Sequence, residues 1–313
     1  MRSVVLAYGA VGHAALEALL GVGAEIDLVV THEDSPDERI WFPSVADRAR
    51  AADLPVFFCG DSNRAELLER LRLIGPDFLI SVYFREMLSG AVLSSAKVAA
   101  LNLHGSLLPR YRGRCPVNWV LVNGESETGV TLHHMDEKPD HGDIVAQRPV
   151  AILPADTALS LTLRLAEEGR NLLSEVYPRL LEGKAGRFPQ AHGRSSYFGG
   201  RRPADGRIDW SRSAEAIRNL VRAVAWPWPG AFTEFRGTTL SVWDVATHPG
   251  WPGEIPGELR IIDGRTLVTA GEGAIELLRV GRYGEPPPRD NDGLEAVDGL
   301  TSGERLGLEP AEG

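Results

Sequence analysis

The sequence predicts an α/β protein, in which a doubly wound, mostly parallel sheet is followed by a smaller domain of short strands. Three observations support this prediction. Strand-like and helix-like segments alternate over the first hundred residues, closely spaced strands follow residue 204, and a Gly-, Pro- and Arg-rich stretch separates the two regions. A chain of 313 residues is long enough for two domains.

The alternation begins at the N-terminus and continues to residue 104. Residues 3–8 (SVVLAY) are typical of a strand, residues 12–23 have the apolar spacing of a helix, and residues 25–32 predict the next strand. Further helix-like and strand-like segments follow in turn: PSVADRARAADL, PVFFCG, NRAELLERLRLIG, PDFLISVYF, GAVLSSA and VAALNLH. Right-handed crossovers of this kind connect parallel strands, so the order predicts a Rossmann-like open sheet with helices on both faces.

The remaining chain predicts an antiparallel strand pair, a long helix and a second domain. GVTLHHMD and DIVAQRPVAI flank a turn-rich loop, and residues 157–183 have a long amphipathic pattern. Residues 214–225 predict a helix, and five short strands within 230–280 predict a small barrel-like or open-barrel domain. We therefore expect an N-terminal domain over 1–190, a linker over 191–203, a small β domain over 204–285 and a poorly ordered tail over 286–313.

Composition and charge exclude several classes of protein. With 43% hydrophobic residues, 24% charged residues and a net charge of −10, the chain has no basic field that would attract nucleic acid or an anionic membrane. Its two cysteines, Cys59 and Cys115, support neither a disulfide framework nor a metal site, so we expect a reducing, cytoplasmic location. His13 and Glu17 interrupt the apolar N-terminus, and no apolar stretch reaches about 18 residues, so we expect neither a signal peptide nor a membrane span.

A glycine pair near the N-terminus is a first candidate site. Residues 8–12 (YGAVG) could cradle a phosphate where a strand turns into a helix. A dinucleotide fingerprint would need another glycine, and an acid at the end of the second strand, where the chain has Thr31 and His32. We interpret the pair as a tight turn and do not expect NAD binding.

A second candidate site lies at the end of the strand over 98–104. Asn102 and His104 are two positions apart and therefore point to the same side of an extended backbone. Ligands of doubly wound sheets bind beyond such strand ends. Both side chains can donate to a developing oxyanion, and histidine can exchange a proton near neutral pH. A satisfied core histidine beside a strand-ending asparagine is the alternative.

The loop between the two antiparallel strands offers a carboxylate partner for His104. Asp140 lies in this loop, where it would fix the histidine tautomer and raise the pKa of the ring. By composition alone, Asp136, Glu137 or Asp143 would serve equally well, and a solvated acidic loop is the alternative.

Three alternating arginines follow the histidine: Arg110, Arg112 and Arg114. Guanidinium groups bind carboxylate and phosphate through paired hydrogen bonds, so this loop predicts an anionic substrate, with a solvated loop as the alternative.

Cys115 has no base beside it in the sequence and is interpreted as a structural thiol. His133 and His134 would point to opposite faces of a strand, so we predict no metal site.

The segment LNLHGSLLPRYRGRCPVNW, followed by NGESETGVTLHHMDEKPDHGDIVAQ, resembles the 10-formyltetrahydrofolate-dependent formyltransferases. That family carries an N-x-H pair and a downstream D-x-G, which match Asn102, His104 and residues 140–142. The resemblance extends from VVLAY through THEDSPDE and LVRAVAWPWPGAF to GAIEL. Within the family it is greatest to the formyltransferase half of the bifunctional polymyxin-resistance enzymes.

The resemblance implies transfer of a formyl group from 10-formyltetrahydrofolate to the 4-amino group of a UDP-linked amino sugar. UDP-4-amino-4-deoxy-L-arabinose is the expected acceptor, which would place the enzyme in lipopolysaccharide (lipid A) modification and antibiotic resistance. The bifunctional enzymes also have an NAD-dependent decarboxylase half that is not in this sequence, so we expect the transferase activity alone.

Other acceptors and another class of protein stay open. The acceptor is alternatively another nucleotide-linked amino sugar or methionyl-tRNA, and the chain is alternatively a non-catalytic folate- or nucleotide-binding module. Methionyl-tRNA formyltransferase usually has a basic C-terminal domain. Residues 204–313 contain eleven Arg, no Lys and eighteen Asp plus Glu, a net −7 that argues against tRNA binding. We expect no nucleic-acid or membrane partner, and a homo-oligomer stays open.

The resemblance also implies roles for individual residues. Asn102 and His104 would stabilise the oxyanion, His104 would shuttle the proton, and Asp140 would hold His104. The implied folate-binding residues are Glu86, Met87, Leu88, Arg114, Asp136, Glu137, Lys138, Pro139 and Asp140. Arg110 and Arg112 are expected to grip substrate anions.

Overall fold

The structure is a computed structural model that describes residues 1–36, 38–60, 64–251, 255–288 and 301–307. Residue contacts divide the chain into two compact units. The first unit comprises Met1–Pro116, Ser126–Ile152 and Ser160–Gly199, and the second comprises Val117–Glu125, Leu153–Leu159 and Gly200–Gly313. This division crosses the linker predicted over 191–203 and assigns two short segments of the N-terminal half to the second unit.

The described residues of the first unit form nine strands. They are β1 (Arg2–Ala7), β2 (Glu25–Thr31), β3 (Val56–Phe58), β4 (Phe78–Val82), β5 (Ala99–His104), β6 (Arg112–Gly113), β7 (Glu127–His134), β8 (Ile144–Ala151) and β9 (Tyr197–Phe198). Seven of them form one sheet in the order β3-β2-β1-β4-β5-β7-β8, and β6 pairs with β9. Strands β1 to β5 run parallel, whereas β7 and β8 are antiparallel to their neighbours, which confirms the predicted mostly parallel sheet.

Helices connect these strands. They are α1 (Gly9–Gly21), α2 (Val45–Arg50), α3 (Arg64–Ile74), α4 (Gly90–Leu93), α5 (Pro116–Val122) and α6 (Ala158–Leu181). Helix α1 begins at Gly9, where φ is +70°, and a Cβ on Gly12 would lie 3.1 Å from the Cβ of Ala7. Both glycines of YGAVG are therefore explained by the strand-to-helix turn.

Among the described residues, no helix has both the length and the apolar character needed to cross a bilayer.

The core of the first unit lies on both faces of the central strands. Val4, Val5 and Leu6 of β1 and Leu79 and Ile80 of β4 are fully buried. Parallel strands covered on both faces read as continuous apolar runs, as these do. In β5 the polar side chains Asn102 and His104 lie at the carboxyl end, so this edge of the sheet is the place where chemistry is available.

The second unit packs a helix against an antiparallel sheet. Its elements are α7 (Ala214–Val224), β10 (Ala231–Phe235), β11 (Thr238–His248), β12 (Leu259–Ile262), β13 (Arg265–Thr269) and β14 (Ala274–Arg282). The strand order is β10-β11-β14-β13-β12. Ser213 caps α7 by accepting a hydrogen bond from the amide of Ala216, and Ile217 and Val221 lie in the core that the helix shares with the sheet.

Residues 301–307 correct the expectation of a poorly ordered tail from residue 286. Leu306 is 3% exposed and lies in the core of the second unit. The amide of Leu259 in β12 donates to the carbonyl of Glu304 at 2.7 Å, and the amide of Gly307 donates to the carbonyl of Glu234 in β10 at 2.8 Å. The segment thus bonds to both edge strands of the sheet. Residues 289–300 and 308–313 of the predicted tail lie outside the described residues.

Candidate active site

The carboxyl end of β5 brings the three predicted catalytic residues together. Asn102 and His104 project from this strand, and Asp140 reaches them from the loop between β7 and β8. The Nδ1 atom of His104 lies 3.5 Å from Oδ1 of Asp140, and the Nδ2 atom of Asn102 lies 3.4 Å from the same oxygen. His104 is 6% exposed, so this contact is shielded from bulk water.

The backbone around Asp140 is held in an uncommon conformation. Asp140 has a φ of +53°, in the left-handed region that non-glycine residues seldom adopt. The side-chain amide of Gln190 fixes it by donating to the carbonyls of Asp140 and Gly142, at 2.9 and 2.7 Å. A Cβ at position 142 would lie 2.1 Å from the carbonyl oxygen of His134, which explains the glycine of the D-x-G pattern.

The surroundings of Asp140 favour its charged form. Burial acts to raise the pKa of this carboxyl, but the charge of His104, the adjacent imidazole of His133 and the amide of Gly113 outweigh burial. That amide donates to Oδ2 at 2.8 Å. The pKa of Asp140 therefore lies well below its usual range, and the site contains a fixed negative charge.

His104 is oriented by a backbone carbonyl. Its Nε2 atom lies 2.7 Å from the carbonyl oxygen of Tyr111, which can only accept a hydrogen bond, so Nε2 carries a proton. The Nδ1 atom then faces Asp140 and is the nitrogen that can gain or lose a proton. This differs from the sequence-based expectation, in which Asp140 fixes the tautomer: the carbonyl of Tyr111 fixes the tautomer, and Asp140 lies beside the other ring nitrogen.

His133 is a site residue that the sequence pattern did not indicate. In the pairing of β5 with β7, His133 lies opposite Asn102. Its Nδ1 atom donates to the carbonyl of His134 at 2.8 Å, so its Nε2 atom accepts from Nδ2 of Asn102 at 3.1 Å and lies 3.5 Å from Oδ1 of Asp140. His133 thereby fixes the orientation of the Asn102 amide. No local spacing in the sequence indicates this neighbour, because it depends on the register of β5 against β7.

Arg112 differs from its expected role in gripping substrate anions. It is 8% exposed, and its guanidinium donates to the side chain of Gln190 and lies 2.9 Å from Nδ1 of His192. Its donors are thus used within the protein, where they support the same Gln190 that holds Asp140. Arg110 and Arg114 are exposed.

The two predicted walls of the folate pocket are brought together. Glu86 forms an ion pair with Arg64, and Met87 is 59% exposed. Leu88 packs on the apolar cluster that includes Leu67 and Leu71. The carboxylate of Glu137 lies against Gly90, so the loop over 136–140 contacts the segment that follows residue 88. Lys138 and Pro139 are exposed in this loop.

Backbone strain is concentrated around this site. Among the described residues, seven non-glycine residues have positive φ, and four of them are Tyr83, Tyr111, Cys115 and Asp140. The hydroxyl of Tyr83 packs against Gly105, is buried, and has no hydrogen-bond partner in the described part of the chain. Strained residues and orphaned polar atoms cluster at functional sites, so this geometry supports a site at the end of β5.

Metal ligation is not evident in the described residues, which contain no group of three or more His, Cys, Asp or Glu side chains placed to hold a metal ion. What the arrangement offers is a carboxylate, two imidazoles and an amide at one strand end. These groups can donate hydrogen bonds, hold a charge and transfer a proton.

Solved structures share this fold. An N-formyltransferase from Helicobacter canadensis, in complex with folinic acid and dTDP-3-aminofucose, has 20% identity and a TM-score of 0.70, with 88% of this chain and 99% of that chain covered. WlaRD, a sugar 3N-formyl transferase, has 18% identity and a TM-score of 0.69, with 88% and 97% covered. A 4-N formyltransferase from Francisella tularensis has 18% identity and a TM-score of 0.59, with 74% and 91% covered.

Two family models match the sequence. The model described as Formyl transferase matches residues 1–177, and the model described as Formyl transferase, C-terminal domain, matches residues 201–287. The first match alone spans more than half of the chain and includes Asn102, His104 and Asp140. The chain therefore belongs to the formyl transferase family.

Proposed function

We propose that this enzyme transfers the formyl group of 10-formyltetrahydrofolate to the amino group of a nucleotide-linked amino sugar. The observation that carries the proposal is the convergence of Asn102, His104 and Asp140 at one strand end in a member of the formyl transferase family. The similar Helicobacter canadensis enzyme was solved with folinic acid and dTDP-3-aminofucose, and WlaRD with dTDP and 5-N-formyl-THF, which supports both substrate classes.

UDP-4-amino-4-deoxy-L-arabinose is the acceptor that we propose first, with a role in lipid A modification and polymyxin resistance. This choice rests on the sequence resemblance described above. The similarity to a 4-N formyltransferase from Francisella tularensis is compatible with a 4-amino acceptor.

Charge stabilisation would come from the end of β5. A neutral sugar amine attacks the formyl carbon and gives a tetrahedral intermediate with an oxyanion, to which the side-chain amide of Asn102 donates; Nδ1 of His104 donates to it once that nitrogen has taken up the amine proton. Each such donor is worth about 3–4 kcal/mol in comparable sites. Their present contacts with Asp140, at 3.4 and 3.5 Å, are long for hydrogen bonds and therefore easily exchanged for a substrate oxygen.

Proton transfer would use one nitrogen of His104. The Nε2 atom stays bonded to the carbonyl of Tyr111, so Nδ1 takes the proton from the attacking amine and delivers it toward N10 of the departing folate. The Asp140 carboxylate beside Nδ1 stabilises the imidazolium that forms. No covalent enzyme intermediate is needed, and positioning of the two substrates supplies much of the remaining acceleration.

A panel of acceptors tests the proposal. The full chain is incubated with 10-formyltetrahydrofolate and, separately, UDP-4-amino-4-deoxy-L-arabinose, a dTDP-3-amino sugar, a dTDP-4-amino sugar and methionyl-tRNA, and formylated product is measured by mass spectrometry. We expect turnover of the nucleotide sugars, with the highest kcat/KM for the UDP sugar. Preference for methionyl-tRNA would contradict the sugar acceptor, and turnover of none would leave only the binding-module alternative.

A further inference from the structure

A cavity of about 430 Å³ lies within the second unit. All of its lining residues belong to that unit, whereas the candidate active site is built from the first. Its volume is within the range of about 300–1,000 Å³ that is common for small-molecule sites. The volume is also many times the roughly 30 Å³ that one water occupies in the liquid, so the cavity is large enough for a small molecule rather than only a few waters.

The lining of this cavity has a small net positive charge, with three arginines against two aspartates. Its charged and aromatic members are Arg218, Arg222, Arg279, Asp156, Asp244, Trp226 and Trp243. This concentration of guanidinium groups contrasts with the acidic balance of the C-terminal part of the sequence. A cationic cavity in an acidic unit predicts an anionic ligand.

One of the two lining arginines of α7 has a direct ion pair, and the other has none among the described residues. Arg218 is paired with Glu215 at 3.2 Å. Arg222 donates only to neutral oxygens, the side chain of Asn219 at 2.8 Å and the carbonyl of Leu153 at 3.3 Å, and no described carboxylate lies within 4 Å of it. Burial and the charge of Arg218 lower the pKa of Arg222, and the charges of Glu215 and Asp156 offset this lowering only in part, so an anion in the cavity would further stabilise the guanidinium.

Two buried donors in the cavity lining also lack partners. The described residues contain five buried side-chain polar atoms without a hydrogen-bond partner, and two of them, Nε of Arg279 and Nε1 of Trp243, belong to residues that line this cavity. Trp243 is only 5% exposed. Asp244 lies opposite Arg279 in the β11–β14 register, yet no ion pair joins them in the described structure. Such orphans are costly, and both lie beneath the cavity surface in residues that line it.

We propose that this cavity is a second ligand site, separate from the candidate active site, which binds a nucleotide. The guanidinium groups of Arg222 and Arg279 would hold the phosphate, since that fork of donors matches phosphate oxygens. The indole rings of Trp226 and Trp243, whose centroids are 6.1 Å apart, would contact the planar base. The proposal goes beyond formyl transfer and does not depend on it.

Calorimetric titration of the full chain with UMP, AMP and inorganic pyrophosphate tests this site. We expect Arg279→Gln and Arg222→Gln each to remove one bound nucleotide per chain, or to weaken that binding at least tenfold. Arg282→Gln is the matched control, because Arg282 is an exposed arginine on the same strand, β14. Nucleotide binding by this variant should equal that of the wild-type chain. Binding that neither variant changes would overturn the proposal, as would pyrophosphate binding with no nucleotide preference.

A second readout does not depend on the charge variants. The indole N–H resonance of Trp243, assigned with Trp243→Phe, should shift when UMP is added to the wild-type chain. No shift at saturating UMP would also overturn the proposal. Formyl transfer by Arg279→Gln should remain near wild type, so failure of this site and failure of the proposed function give different results.

Discussion

One carboxylate oxygen of Asp140 lies 3.4 Å from Asn102 and 3.5 Å from both His104 and His133. The other oxygen accepts a hydrogen bond from the amide of Gly113. A single side chain therefore orients the strand end and fixes a negative charge beside it. At the scale of residues, the proposed proton transfer by His104 requires that this carboxylate stay charged and fixed in position.

Replacing Asp140 by asparagine keeps its shape and removes its charge. We expect Asp140→Asn to lower kcat for formyl transfer by about 100-fold or more, because the imidazolium of His104 loses its counter-charge. Initial rates at saturating substrates measure this. Asp143→Asn is the matched control, since Asp143 lies in the same loop and pairs only at the surface with Arg187, at 2.8 Å. Equal rates for the two variants would contradict the assignment.

The lowered pKa of Asp140 also predicts a pH dependence of stability. Its value in the folded chain lies below the unfolded value of 3.8, so its stabilisation is complete well above pH 4 and is lost as pH falls toward the folded pKa. The difference in unfolding free energy between wild type and Asp140→Asn should therefore be smaller at pH 3 than at pH 6, by urea unfolding. A difference independent of pH would argue against a perturbed carboxylate.

His133 contacts Asn102 and Asp140 rather than the reacting atoms, so we expect it to be a positioning residue. His133→Phe should lower kcat more than it changes KM, because the amide of Asn102 loses its acceptor. His133→Gln retains a side-chain oxygen that can accept and should recover part of the loss. If both variants were equally impaired in kcat and KM, His133 would have a general structural role instead.

Contacts between residues that are close in the sequence were predictable from the sequence. Contacts that depend on how two strands are aligned against each other were not. Asn102 and His104 share a face because a strand repeats every two residues, and Asp140 follows from the family resemblance. His133 became a neighbour of Asn102 only through pairing between β5 and β7. Arg112 reads as a surface cation in the sequence, yet the turn of its loop directs the guanidinium to Gln190.

At the scale of elements, the segment 301–307 contributes to the β domain. It bonds to β12 and β10, and Arg236 of the β10–β11 turn donates to Glu304 at 2.7 Å. Composition could not predict this, because one buried leucine among polar residues has no periodicity to detect. The strands of the domain were predicted because each alternates over several residues.

The burial of Leu306 gives this element a measurable effect. Leu306→Ala should destabilise the protein by about 2–5 kcal/mol, the usual cost of truncating a buried leucine. The change is measured by urea unfolding followed by tryptophan fluorescence. Leu73→Ala is the control, because Leu73 is 88% exposed and its loss should be nearly neutral. Equal effects of the two substitutions would mean that segment 301–307 does not pack on the core.

At the scale of the whole molecule, the two sheets correspond to two regions of sequence pattern. Alternating helices and strands predicted the mostly parallel sheet, and closely spaced strands predicted the antiparallel one. The assignment of Val117–Glu125 and Leu153–Leu159 to the second unit was not predictable, since it depends on long-range contacts that no local pattern encodes. Net charge belongs to this scale too, and −10 disfavours a polyanionic acceptor such as tRNA.

The rate of formyl transfer by single-site variants tests the central claim most directly. Wild type, Asn102→Ala and His104→Ala are compared with 10-formyltetrahydrofolate and the best nucleotide-sugar acceptor, after urea unfolding has shown that each variant folds. We expect each variant to lose at least about 100-fold in kcat, because each removes a donor to the oxyanion. Near wild-type transfer by either folded variant would contradict the account.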